Sequence, residues 1–166
     1  MEIKYYDGDV FTSDARLILH AVNCQGVMGS GVAKTVKERY PNVFFEYKNM
    51  CNTAHTTASL LGEVQKVDIS EKQSIVNCFT QDNYGAFAKG MPTSYDAVHR
   101  CFRFVALMAM TIAASEHPDG PLKIALPYGM CSVRGGACWN VILEMLKDAF
   151  NTMDVVIEIW KYTLEF

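Results

Sequence analysis

At 166 residues, half of them hydrophobic and a fifth charged, the chain fits a single globular domain large enough to bury its own core. A formal charge of −3 argues against a wide cationic footprint on nucleic acid. The longest apolar run, Phe104 to Ala114, is too short to span a bilayer, so no membrane segment is expected.

Six cysteines, Cys24, Cys51, Cys78, Cys101, Cys131 and Cys138, are scattered without a C-x-x-C pair. The opening residues Met1 to Tyr5 lack the charged-then-apolar order of a secretion signal, so reduced thiols in a cytoplasmic protein are expected. His20, His55, His99 and His117 stand at no ligand spacing to those cysteines, and no metal site is expected.

Glu2 to Tyr6 reads as a strand, with Asp7 to Phe11 as its exit turn and Asp9 as a turn or cap residue. Leu17 to Val22 is a short apolar run of the kind a buried parallel strand shows. Behind it come Gly26, Gly29 and Gly31, and then Val32, Ala33, Val36 and Tyr40 at helical spacing until Pro41, with Ser30 as the expected cap. Strand, glycine-rich turn and helix in that order suit an anion, because glycine lets a ligand approach the backbone and the first helical turn carries unpaired N–H groups. A plain structural turn is the alternative. The glycines run G-x-x-G-x-G, the reverse of the dinucleotide fingerprint, and Val32-Ala33 separate Gly31 from Lys34-Thr35, which excludes a nucleotide-triphosphate loop.

Pro41 to Cys51 continues as a second helix with Val43, Phe44, Tyr47 and Met50 inward, and Asn52 to Ser59 reads as a loop. Glu63 to Ile69 alternates like a half-exposed strand, while Ser74 to Phe79 reads as a buried one. Thr80 to Gly90 forms a long polar loop at its exit. Thr93 and Asp96 resemble a capping box before a core helix carrying Val98, Phe102, Val105 and Ile112. Lys123 to Pro127 is another short strand. It empties into Tyr128-Gly129-Met130-Cys131-Ser132-Val133-Arg134-Gly135-Gly136, followed by a helix with Trp139, Ile142, Leu146 and Phe150 on one face. Val155 to Tyr162 closes the chain as a strand. Two strand-loop-helix units side by side predict a crevice at the carboxyl edge of an open α/β sheet.

Val22-Asn23-Cys24-Gln25-Gly26-Val27-Met28-Gly29-Ser30-Gly31-Val32-Ala33 resembles the first ligand loop of macrodomains. Gly8-Asp9-Val10, Pro127-Tyr128-Gly129 and Gly135-Gly136 extend the likeness over almost the whole chain. The likeness is to the branch of ADP-ribose 1″-phosphate phosphatases, terminal ADP-ribose glycohydrolases, DNA de-ADP-ribosylating antitoxins and phage-encoded relatives. It implies one three-layer α/β/α domain over residues 1–166, built on a mixed, mostly parallel sheet, with an ADP-ribose-type nucleotide as partner and no cofactor. It implies Asp9 and the Val10 backbone at the adenine, and Tyr162 beside it. A plain sheet-edge aromatic is the other reading of Tyr162. Gly29, Ser30, Gly31 and Val32, facing Gly129 to Gly135 (Met130, Cys131, Ser132, Val133 and Arg134 between them), would clasp the pyrophosphate and distal ribose. Gln81 would lie at the same crevice.

Gln81 stands where the glycohydrolases carry a lysine, and Val133 where they carry an aspartate, so both halves of that mechanism are missing. Lys89 lies too far along its loop to substitute. Asn23, for which the resemblance implies a ribose contact, and His20, either an acid-base group or a buried core residue, are the remaining catalytic candidates. Three readings are open: a binder that sequesters an NAD-derived nucleotide, as in a phage-type counter-defence; a hydrolase of ADP-ribose 1″-phosphate or of ADP-ribose on protein or nucleic acid; and an interaction module without a pocket. The binder is the favoured expectation, and the sequence leaves oligomeric state open.

Overall fold

The strand β1 (Glu2–Asp7) starts the chain, followed by β2 (Leu17–Asn23), α1 (Gly31–Arg39) and α2 (Pro41–Thr53). Then come β3 (Val64–Asp68), β4 (Ser74–Gln81), α3 (Tyr95–Glu116), β5 (Leu122–Pro127), α4 (Trp139–Phe150) and β6 (Val155–Lys161). This computed structural model describes residues 1–85 and 89–163, so residues 86–88 of the long polar loop lie outside the described residues.

The strands form one sheet in the order β1-β6-β5-β2-β4-β3. Neighbours run parallel except β3, which pairs antiparallel with β4. The apolar run of β2 has the physical cause that its sequence suggested, because both of its faces are covered. Leu17 and Leu19 pack with Val98, Phe102, Ile142 and Phe150 of α3 and α4, while Ile18 and Val22 pack with Val36, Val43 and Tyr47 of α1 and α2. The result is the expected three layers. β3, at the sheet edge, keeps its half-exposed alternation. The carboxyl ends of the parallel strands β2, β4, β5 and β6 share one edge, and their exit loops meet there.

As expected, Pro41 ends α1 and opens α2, where a residue without an N–H costs nothing at the first helical position. Other local details depart from the sequence reading. α2 runs on through Thr53, and the end of the expected loop winds with Leu60 into a 3-10 turn, Thr57–Leu60, capped by Thr56. The cap of α3 is Ser94, which accepts from the Ala97 amide, rather than Thr93. Thr93 is instead buried and donates to the Cys131 carbonyl. α3 also corrects the expectation that no segment is long enough to cross a membrane: its 22 residues meet that requirement by length and composition. Val98, Phe102, Val105 and Ile112 of this helix pack on the sheet, which accounts for part of that composition, while Phe104, Leu107 and Met110 stay exposed.

Candidate ligand cleft

The turn after β2 is tied down by its first residues. The Cys24 amide donates to the carbonyls of Gln81 (3.0 Å) and Asp82 (3.2 Å), which joins the turn to the exit of β4. The Asn23 side chain organises the stretch up to Val27: its Oδ1 accepts from the amides of Gln25 (2.9 Å) and Val27 (3.4 Å), and its Nδ2 donates to the Val27 carbonyl (2.7 Å). The Tyr47 hydroxyl, from α2, lies 2.9 Å from the same Oδ1. Asn23 is therefore chiefly a strut of the loop, with one Nδ2 hydrogen left for a ligand. Gly31 adopts φ +58°, a left-handed conformation suited to glycine, where the loop enters α1. Ser30 flanks the helix as expected, but its side chain makes no capping hydrogen bond. Among the described residues, the amides from Gly29 to Ala33 have no acceptor.

The second glycine-bearing loop is a closed curl. Ser132 N–H donates to Gly129 O (2.8 Å), Gly136 N–H to Ser132 O (3.0 Å) and Ala137 N–H to Cys131 O (3.1 Å). Cys131 holds φ +68°, uncommon for a residue with a side chain. The Thr93 hydroxyl, 3.1 Å from the Cys131 carbonyl, braces that turn from the start of α3.

Between these loops, the exit of β4 and the end of β6 lies a cleft of about 930 Å³, at the large end of the range for small-molecule sites. Every ligand-binding or catalytic candidate from the sequence lines it except Asp9, Val10 and Ser132. Asp9 caps the turn Val10–Thr12 by accepting from the Phe11 amide (3.0 Å), and its other oxygen pairs with Arg39 of α1 at 2.6 Å. Val10 is 5% exposed and packs in the core beneath α1 and α2. Ser132 spends its amide on the curl, and its hydroxyl is buried without a partner among the described residues. Tyr162 is exposed at the cleft mouth, while Gln81 donates from its side chain to the Asn83 carbonyl (2.7 Å).

The lining carries the cations Arg134 and Lys161 and, among the described residues, no carboxylate. His20, on the central strand, is 1% exposed, with Nε2 2.5 Å from Asn77 Oδ1. Asn77 Nδ2 donates to Gln65 Oε1 (3.0 Å), which fixes the amide's orientation. An amide oxygen only accepts, so the His20 proton sits on Nε2, and Nδ1 has no partner among the described residues. Burial pulls the imidazole down to about 4, against a smaller opposing effect of the Asn77 bond, so the ring is neutral near pH 7. Burial likewise pushes the Cys131 thiol up to about 12, which leaves it protonated and a poor nucleophile.

The supporting residues that sequence patterns do not reveal act through long-range partners. Arg39 meets Asp9 across 30 positions, Tyr47 meets Asn23 across 24 and Thr93 meets Cys131 across 38. Spacing carries no signal for such pairs. Tyr47 and Thr93 do stand in recognisable patterns, but those patterns point to an inward helix face and to a helix start, not to these partners.

No family model matches the sequence. The chain is 32% identical over 151 residues to a DNA ADP-ribosyl glycohydrolase of Mycobacterium tuberculosis, an alignment that covers 91% of this chain and 39% of that protein. It thus spans well under half the length of that relative. It is 31% identical over 133 residues to an ADP-ribose 1″-phosphate phosphatase of Candida albicans, covering 75% of this chain and 80% of the relative. Among solved structures, the macrodomain of Mycobacterium tuberculosis DarG superposes with a TM-score of 0.76 at 25% identity, over 95% of this chain and 96% of that one. The Candida albicans relative is matched over most of its own length, and the DarG macrodomain repeats the fold nearly end to end; the chain belongs to the macrodomain family.

Proposed function

We propose that the cleft binds ADP-ribose or a closely related NAD-derived nucleotide and retains it, a sequestering role. The observation that carries this reading is the row of acceptor-free amides from Gly29 to Ala33, facing the curl at Gly129 to Gly135 across a nucleotide-sized space. Such donors suit a diphosphate without needing a basic surface, in keeping with a net charge of −3. Retention over turnover is supported by the side chains: Gln81 and Val133 supply no proton, and His20 and Cys131 are held neutral by burial. A calorimetric titration with ADP-ribose tests the reading. Saturable heat at one site per chain is the expected result, and no heat together with no thermal shift would reject it.

A second reading, hydrolysis, is favoured by the names of the relatives and by the place of His20 among the cleft's lining residues, although its Nδ1 is itself buried. Incubation with ADP-ribose 1″-phosphate and with ADP-ribosylated DNA separates the two. Turnover that disappears in His20→Ala would establish hydrolysis in place of retention.

A further inference from the structure

Arg134 projects from the second loop toward the start of α1. Its Nε lies 3.3 Å, and its Cδ 3.6 Å, from where a Cβ on Gly31 would stand, so its stem crosses to the opposite lip of the cleft. Arg16, Arg39 and Arg100 each pair with a carboxylate. Arg134 has no such partner among the described residues, and the cleft lining offers none. The other lining cation, Lys161, places its Nζ 5.7 Å from the centre of the Tyr128 ring. Arg134 is exposed, and its guanidinium, without a hydrogen-bond partner among the described residues and beside amides that lack acceptors, has unused donors for an anion. Its planar fork matches a phosphate at two points, which a lysine ammonium cannot do.

We propose that Arg134 is a cationic clasp: it spans the two glycine loops over the ligand's phosphates and makes the cleft discriminate by ligand charge. The inference rests on the nucleotide-binding reading above and adds to it a specificity-determining side chain. The amides supply shape and orientation, while Arg134 supplies the charge-dependent part of the affinity. Binding of a diphosphate ligand then falls with salt, whereas binding of the uncharged nucleoside does not.

The test titrates the whole chain with ADP-ribose and with adenosine at low and high sodium chloride, in the wild type and in Arg134→Leu, Arg134→Gln and Arg134→Lys. Leucine and glutamine are expected to weaken ADP-ribose about 10- to 100-fold, the range for a lost charge-assisted hydrogen bond, and to flatten its salt dependence. Adenosine affinity is expected to stay unchanged. Lysine should give an intermediate affinity and keep the salt dependence. If the wild type fails to bind ADP-ribose, the nucleotide reading itself fails. If the wild type binds and the leucine and glutamine variants match it in affinity and salt dependence, the clasp alone is overturned. Lysine no better than leucine would also overturn it. Glutamine keeps the side-chain stem, so a leucine variant that folds poorly does not leave the question open.

Discussion

His20 shows what burial does to one residue. Its described neighbours satisfy Nε2 and leave Nδ1 without a partner, and the low-dielectric surroundings resist a second proton, lowering the pKa from 6.5 to about 4. As pH falls from 6.5 toward 4, the unfolded chain takes up a proton at this ring that the folded chain refuses. Stability therefore falls with pH through that window. The loss levels off below pH 4, at about 3 kcal/mol, because both states are then protonated. Urea unfolding of the wild type and of His20→Gln at pH 7, 5.5 and 4 should show the wild type losing more than the variant by roughly that amount. Parallel stability curves would mean that the ring titrates normally. The same neutral ring explains why a histidine at the cleft floor is not in itself an acid catalyst near pH 7.

At the scale of elements, the second glycine loop and the start of α3 form one unit. A Cβ on Gly135 would fall inside contact distance of both the Thr93 hydroxyl and the Cys131 carbonyl, so the loop can close over α3 only with glycine there. Gly135→Ala is expected to cost about 1–3 kcal/mol of stability, the usual penalty for overpacking, and to weaken ADP-ribose binding by displacing the curl. Denaturant unfolding and calorimetry on the purified variant check both, and an unchanged midpoint would show that the loop has slack. The contrast with Thr93 marks what sequence can reveal. The strands β2, β4 and β5 are legible because burial on both faces demands a local apolar run, and Gly31 is legible because glycine suits its left-handed backbone. Thr93 three positions before Asp96 imitates a helix start just as convincingly, yet Ser94 takes the cap because Thr93 is drawn inward by Cys131. Asp9 is legible as a capping residue, but its pairing with Arg39 depends on where α1 ends against the exit of β1, which no local pattern encodes. The part of the cleft's lining that the two loops supply can be read from the sequence, because the loops are local, whereas the part from the exit of β4 and the end of β6 joins them only through the fold. The struts that hold those loops cannot be read that way.

For the whole molecule, the cleft has its walls on both sides of the sheet. The first loop leads into α1, which packs with α2 on one face, and the second leads into α4, which packs with α3 on the other. A ligand touching both loops therefore binds only when both helical layers are in place, and its binding energy stabilises the domain as one cooperative unit. At a free ADP-ribose concentration 100 times its Kd, linkage adds about 2.7 kcal/mol. For a domain of this size, that corresponds to a rise in Tm of roughly 5–10 °C. Scanning calorimetry should show a single transition that moves upward with ligand without splitting, and Gly31→Glu, which places a side chain and a negative charge at the cleft's α1 lip, should abolish the shift. Two transitions, with only one responding to ligand, would mean that the layers melt separately and that the nucleotide contacts one loop alone.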